Sequence, residues 1–276
     1  MSSGRRMLHS RSMAKALRSI EPLLPVIRRR PLGVMSDIDG TLAPIVARPE
    51  DATAPEATRR LLRQLVAKGV RVAAVTGRSL EAARRMVGVE GIAYAADHGL
   101  TLWLDGKRES APGLAEYERL AAEAERELGG LAEAGVQMEN KGALLAAHYR
   151  NAPDRAAARE AIRAAIEGSE AARRFEAKEG RLVVELRPPI AADKGTAVEA
   201  LAGRLGLAGI VCLGDDVTDI DMFRAVERLR EGGVAGVSVA VASEEAAPEV
   251  MEAADFRLEG REGVEWLLGE ILEAVG

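Results

Sequence analysis

Three times in this chain an apolar run stops at a cluster of small and charged residues, and that repeated junction constrains the fold more than any other feature. Gly33-Val34-Met35-Ser36 stops at Asp37-Ile38-Asp39-Gly40-Thr41, residues 70–75 stop at Thr76-Gly77-Arg78-Ser79, and residues 210–213 stop at Gly214-Asp215-Asp216. Short apolar runs bounded by turns read as strands buried on both faces. Between them lie amphipathic stretches: 57–68 carries Leu61, Leu62, Leu65 and Val66 at helical spacing and stops at Gly69, 81–87 is a second helix, and 92–95 a further strand. Strand, helix and strand in this order predict parallel βαβ units, whose ligands gather at the carboxyl ends of the strands.

The middle of the chain has a different period. A helix over 116–128, a hairpin over 136–150 turning at Lys141-Gly142, a helix opened by Asp154 and running to 167, and a second hairpin over 175–187 make an αββαββ unit. After Pro188-Pro189 the first pattern resumes, with helices over 195–205 and 219–229, strands over 210–213 and 237–241 and a closing helix over 264–274. The fold class is therefore α/β: a Rossmann-like parallel-sheet core over 31–107 and 190–276, with an α+β cap inserted at 108–189. Linkers are expected over 107–112 and 187–190.

Composition narrows the chemistry. Only 3% of the 276 residues are aromatic, too few for a platform that stacks single-stranded nucleic acid, and no apolar run approaches the ~20 residues that cross a bilayer. One cysteine, Cys212, excludes an intramolecular disulfide framework and a cysteine-cluster metal site. With three histidines, a metal site here must be built mainly from carboxylates, which suits a hard ion such as Mg²⁺. Residues 1–30 carry eight Lys or Arg against Glu21 alone; taking that +7 from the net −5 leaves −12 on the remainder. This basic segment is read as a solvated N-terminal extension, with a targeting or nucleic-acid-touching arm as the alternative.

Asp37, Asp39, Asp215, Asp216 and Asp219 converge on one sheet edge in this topology, and five carboxylates there repel one another unless a cation sits among them. A lone Asp-x-Asp-Gly is equally a turn, Asp216 equally a helix cap, and Lys194 alone an ordinary solvated lysine. The ordered set is more specific. Asp37-Ile38-Asp39-Gly40-Thr41, Thr76-Gly77-Arg78, Asp193-Lys194-Gly195 and Gly214-Asp215-Asp216-Val217-Thr218-Asp219 together resemble the four motifs of the haloacid dehalogenase-like hydrolase superfamily. On that resemblance Asp37 is the nucleophile that forms an aspartyl-phosphate, and Asp39 the general acid toward the leaving oxygen and then the base toward water. Thr76 and Lys194 hold the phosphoryl oxygens, and Asp37, Asp215 and the Asp39 carbonyl hold Mg²⁺. Arg78, Asp216 and Asp219 are expected to orient these groups.

The cap indicates the substrate. Strand alternation puts His148 with Arg150, Glu185 with Arg187, and Glu139 with Lys141 on common faces, a polar surface suited to a hydroxyl-rich ligand; solvated strand residues are the alternative. Asp97-His98-Gly99, Glu139-Asn140-Lys141-Gly142, His148-Tyr149-Arg150 and Glu185-Leu186-Arg187-Pro188, added to the core motifs, resemble the trehalose-6-phosphate phosphatase family. The resemblance implies that His98, Glu139, Lys141, His148, Arg150 and Glu185 contact the sugar. It also implies a cytoplasmic Mg²⁺-dependent phosphatase of trehalose biosynthesis with a functional link to a trehalose-phosphate synthase and no nucleic-acid or membrane partner; the sequence leaves the oligomeric state open, with a monomer favoured. The other readings are a phosphatase of sucrose 6-phosphate, mannosyl-phosphoglycerate or a hexose phosphate, a phosphomutase, and a non-catalytic sugar-phosphate-binding partner of the synthase.

Overall fold

The computed structural model describes residues 13–46, 48, 51–180, 182–243 and 247–276. In chain order the core begins with β1 (Lys15–Ala16) and α1 (Leu24–Ile27), then β2 (Leu32–Ser36), α2 (Glu56–Ala67), β3 (Arg71–Val75), α3 (Leu80–Val87), β4 (Ala93–Ala96), β5 (Thr101–Leu104) and β6 (Lys107–Ser110). The cap holds α4 (Leu114–Glu127), β7 (Gln137–Asn140), β8 (Leu145–His148), α5 (Arg155–Gly168), β9 (Glu176–Gly180) and β10 (Val183–Arg187). The core resumes with α6 (Lys194–Arg204), β11 (Gly209–Gly214), α7 (Ile220–Glu231), β12 (Ala235–Ala242), α8 (Pro248–Ala253), β13 (Phe256–Glu259) and α9 (Gly260–Val275).

One nine-stranded sheet runs β1-β13-β12-β11-β2-β3-β4-β5-β6. Pairing is parallel from β1 to β4 and antiparallel from β4 to β6. β2 is buried at every position, as a strand covered by helices on both faces must be. Leu62, Leu65, Leu267 and Ile271 pack against one face of the sheet, and Val198, Leu201, Phe223 and Val226 against the other. The strand order reverses around β2, between β11 and β3, and such a switch point opens a crevice at the strand ends.

Three segments differ from the sequence expectation. Within the basic N-terminal stretch, the described part from residue 13 is built into the core: β1 pairs in parallel with β13, and Leu23 and Ile27 are fully buried. Its arginines mask an apolar set too short to show a period. Residues 1–12, where the rest of that expectation falls, lie outside the described residues. The hairpin of β5 and β6 extends the core sheet to Ser110, so the first crossing to the cap comes just after it. Asp105 and Gly106 both have positive φ, 50° and 79°, as its two-residue turn requires. α8 and β13 complete the other edge, again beyond the expected elements.

The cap is a four-stranded antiparallel sheet, β7-β8-β10-β9, with α4 and α5 packed on one face. Leu145, Ala147, Val184 and Leu186 point into that helical layer, leaving the alternate positions on the opposite, polar face. Core and cap meet through an apolar cluster of Leu100, Leu114, Ala143 and Leu144.

Candidate active site

β2 ends at Ser36, and the chain turns sharply to keep Asp37 and Asp39 over the crevice. Gly40 makes the turn possible. Its φ is 82°, and a Cβ there would lie 2.0 Å from an Asp215 oxygen. The neighbouring Thr41 hydroxyl donates to Asp215 Oδ1 at 2.6 Å, tying the end of β2 to the end of β11.

Asp37 is 5% exposed, Asp215 7% and Asp219 0%. Each offers a carboxylate oxygen within 4.8 Å of the others. Lys194, 4% exposed, places its ammonium 2.9 Å from Asp37 Oδ1 and donates to Asp219 Oδ1 at 2.7 Å. A cation in the first turn of α6 opposes the helix dipole, so these two carboxylates are what stabilise it there. Asp193 caps the same helix, accepting from the Thr196 amide at 2.6 Å, while the Thr196 hydroxyl accepts from the Asp193 amide. Asp219 Oδ2 accepts from the amides of Asp215 and Asp216 at 2.9 and 3.0 Å, so one buried carboxylate fixes both the lysine and the loop that carries Asp215.

Charge is unbalanced in this cluster. Burial raises the Asp37 carboxyl well above its ordinary range, the Asp219 charge adds to this, and Lys194 offsets it only in part. Burial also pushes Asp215 up to about 7. For Lys194 burial works against the charge, but Asp219 and Asp37 outweigh it and hold the ammonium protonated far above its ordinary value. Three buried carboxylates against one ammonium fit a site for a metal cation of oxygen preference.

Asp39 faces elsewhere. Arg78 donates to it through Nε at 2.7 Å and Nη2 at 2.6 Å, and that bond raises the arginine's own pKa. Thr76 is buried at the end of β3, and its hydroxyl accepts from the Arg78 amide at 3.2 Å. Asp216 is exposed, with its carboxylate 3.4 Å from the Thr218 hydroxyl, outside the buried cluster.

The polar face of the cap closes the other side. Glu139 Oε2 lies 2.9 Å from His148 Nε2 and 3.5 Å from Lys141 Nζ; Lys141 reaches Glu185 at 3.7 Å; Arg187 donates to Glu185 Oε2 from Nε at 3.0 Å. In register Ala146 stands directly between Glu139 and Glu185, so the two carboxylates flank a residue that fills almost no space. His148 draws the Glu139 carboxyl below its ordinary range. Burial raises the Glu185 carboxyl, but Arg187, with Lys141 and His98 behind it, outweighs this and leaves it below its ordinary range. Arg150 lies two residues beyond the end of β8, exposed and apart from this chain of charges.

Between the two surfaces stands His98. Asp97 and His98 both adopt left-handed backbone, φ 53° and 55°, in the turn after β4. The His98 ring packs on the loop after β3, where a Cβ at Gly77 would fall 2.5 Å from it. Burial, with the charge of Arg187 next, lowers His98 to about 3, so the ring is neutral. Two residues that the sequence reading gave no role in the site hold others in it: Thr41, legible within its Asp-x-Asp-Gly-Thr run, and Arg187, legible from its parity with Glu185 and its place in Glu185-Leu186-Arg187-Pro188.

A parallel core with carboxylates gathered at its switch point, facing the polar sheet of an inserted α+β cap, is the architecture of a haloacid dehalogenase-like hydrolase. A trehalose-phosphatase model matches residues 35–262, and the chain belongs to that family. It is 39% identical over 199 residues to a probable trehalose-phosphate phosphatase of Sinorhizobium fredii, covering 70% of this chain and 73% of that one. It is 38% identical over 246 residues to an uncharacterized glycosyl hydrolase of Mycobacterium tuberculosis, covering 84% of this chain. The chain spans 17% of the length of that relative, and 49% of a Mycobacterium leprae trehalose-phosphate phosphatase. Among solved structures, Aspergillus fumigatus trehalose-6-phosphate phosphatase superposes with a TM-score of 0.65 at 26% identity, covering 94% of this chain and 99% of the other. The C-terminal domain of the Candida albicans protein superposes at 0.72 with 22% identity, over 96% of this chain and 99% of that one, and supports the fold. Among the described residues no helix is long and apolar enough to cross a membrane.

Proposed function

We propose that this protein hydrolyses trehalose 6-phosphate to trehalose and phosphate. The observation that carries the reading is the buried Asp37–Lys194–Asp219 cluster standing opposite a cap face whose exposed groups suit hydroxyls. Asp37, Asp215 and the main-chain carbonyl of Asp39 would hold Mg²⁺, and a bound Mg²⁺ supplies the positive charge that keeps Asp37 ionised and neutralises the phosphoryl oxygens. Asp37 then attacks phosphorus, and the P–O bond to the sugar breaks as Asp39, with one oxygen freed from Arg78 to carry a proton taken from water and the other still held, gives that proton to the leaving oxygen. Lys194 and the Thr76 hydroxyl take the charge on the phosphoryl oxygens. Asp39, now ionised, takes a proton from water, whose oxygen displaces Asp37 from phosphorus and returns the enzyme to its starting state. Asp219 keeps Lys194 and Asp215 in place throughout, and Arg78 and Asp216 support the two loops.

His98 from the core and Glu139, Lys141, His148 and Glu185 from the cap bind the sugar, while Arg150, in the loop after β8, is not carried over from the resemblance. The cap, inserted between β6 and α6, closes over it, excludes water and opens to release product. The body beyond residue 30 carries −12, so attraction of an anionic substrate must be local, from Mg²⁺, Lys194 and the cap cations. Trehalose 6-phosphate is what a trehalose-phosphate synthase delivers, so on this reading the reaction runs beside that enzyme in the cytoplasm. Phosphate release from trehalose 6-phosphate, sucrose 6-phosphate, mannosyl-phosphoglycerate and glucose 6-phosphate tests the assignment. Trehalose 6-phosphate is expected to lead in kcat/KM by ~100-fold or more; a lead for another ester would reassign the substrate.

A further inference from the structure

We infer that Arg187 is a specificity-determining positioning residue: its two-pronged hold aims Glu185 into the cleft, so that the cap reads sugar hydroxyls. The inference rests on the reading of the site proposed above and adds a residue that neither the motifs nor the family resemblance put to use.

Arg187 is the last residue of β10, at the point where the chain leaves the cap for the core. Its guanidinium donates from both Nε and Nη2 to one oxygen of Glu185, Oε2. The other oxygen, Oε1, is left toward Lys141 Nζ at 3.7 Å. Basic and acidic side chains thus alternate across the sheet in the order His148, Glu139, Lys141, Glu185, Arg187, with Ala146 as the floor between the carboxylates. A carboxylate that recognises a hydroxyl must stay ionised and hold one direction, because a charged acceptor bonds more strongly and a fixed one loses less entropy on binding. Arg187 provides both conditions for Glu185, which is 19% exposed in its side chain. A lysine could not make the two-pronged contact.

The same guanidinium acts on the core. The charges that act on His98 are those of Arg187, Glu185 and Lys141 in the cap and Lys194 at the start of α6. Burial is the largest influence on the ring, and Arg187 is the largest of the charges, acting against protonation. A neutral imidazole can both donate and accept, which matches a hydroxyl; an imidazolium can only donate, and would add charge to a cleft already holding Lys141, Arg187 and Lys194.

The test uses the full chain with Mg²⁺ and compares unmodified protein, Arg187→Gln and Arg187→Lys. Hydrolysis is followed with trehalose 6-phosphate and with p-nitrophenyl phosphate, an ester without hydroxyls to read, and the histidine ring resonances are titrated by NMR. For Arg187→Gln the ratio of kcat/KM on trehalose 6-phosphate to that on p-nitrophenyl phosphate is expected to fall ~10- to 100-fold, mainly through KM. The His98 midpoint is expected to rise from about 3 but to stay below that of an ordinary imidazole, because burial, the larger cause, remains. Arg187→Lys should return the His98 midpoint but only part of the ratio. Equal losses on both esters, or an unchanged ratio with a fixed His98 midpoint, would overturn the inference. If unmodified protein shows no preference for trehalose 6-phosphate, the substrate reading fails instead, and the His98 titration still decides whether Arg187 sets that ring's state.

Discussion

Arg78 holds Asp39 by a two-pronged contact, Nε to Oδ2 at 2.7 Å and Nη2 to Oδ1 at 2.6 Å, which turns the Asp39 carboxylate away from Asp37, only two residues earlier in the chain. Two carboxylates so close in sequence therefore occupy different environments. Asp37 is buried beside Lys194, while Asp39 is partly exposed at the mouth of the cleft, its side chain 32% accessible. That separation is what an attacking group and a proton carrier require.

Replacing Arg78 releases Asp39 to rotate freely. Arg78→Ala is expected to lower kcat on trehalose 6-phosphate ~10- to 100-fold, the range of a mispositioned general acid, with a smaller change in KM. Arg78→Lys should recover little, since a point charge cannot reproduce the two parallel bonds. Steady-state phosphate release checks both; a kcat for Arg78→Ala within twofold of the unmodified protein would remove Arg78 from this role.

The excess negative charge around Asp215 predicts a metal-dependent stability. Mg²⁺ that binds only the folded chain should raise unfolding stability by ~2.7 kcal/mol at a concentration 100 times its Kd. In Asp215→Asn the increment should largely vanish, because a ligand is lost and the repulsion around Asp37 falls. Denaturant unfolding with Mg²⁺ and with chelator measures the difference directly.

Asp97 predicts a pH dependence of known sign. It is buried, its Oδ1 has no hydrogen-bond partner, and burial pushes its carboxyl up to about 6. The folded chain therefore keeps a proton that the unfolded chain, titrating near 3.8, releases. Stability contributed by Asp97 falls as pH rises from about 4 to about 6 and stays low above that, by an amount on the order of 3 kcal/mol. Asp97→Asn should flatten this part of the profile and be more stable than the unmodified chain at pH 7.5. Urea midpoints at pH 4.5 and 7.5 test it; equal pH slopes for the two proteins would contradict the assignment.

Much of this arrangement is legible in the sequence because each core motif sits where an apolar strand must end, and the ends of parallel strands share one edge. The αββαββ order of the cap is legible from two glycine turns and a helix opened by Asp154. What escapes is whatever carries no apolar period. β6 reads Lys-Arg-Glu-Ser and is exposed throughout, so only the Asp105-Gly106 turn before it marks a hairpin. β1 has two residues, and the buried Leu17, Leu23 and Ile27 stand among arginines. The site is subject to the same limit. Sequence spacing brings Glu185 and Arg187 to one face, but the direction of the bond between them, and its reach to His98, depend on how core and cap meet. Parity also pairs Arg150 with His148, whereas β8 ends at His148 and the pairing ends with it.

The central claim is that Asp37 is the group that attacks phosphorus, and Asp37→Asn tests it most directly. The amide keeps the size of the side chain but not its nucleophilic charge. With Mg²⁺ present, hydrolysis of trehalose 6-phosphate is expected to fall by ~10³-fold or more while calorimetry still detects binding of the substrate. Turnover within tenfold of the unmodified protein, with binding intact, would contradict it.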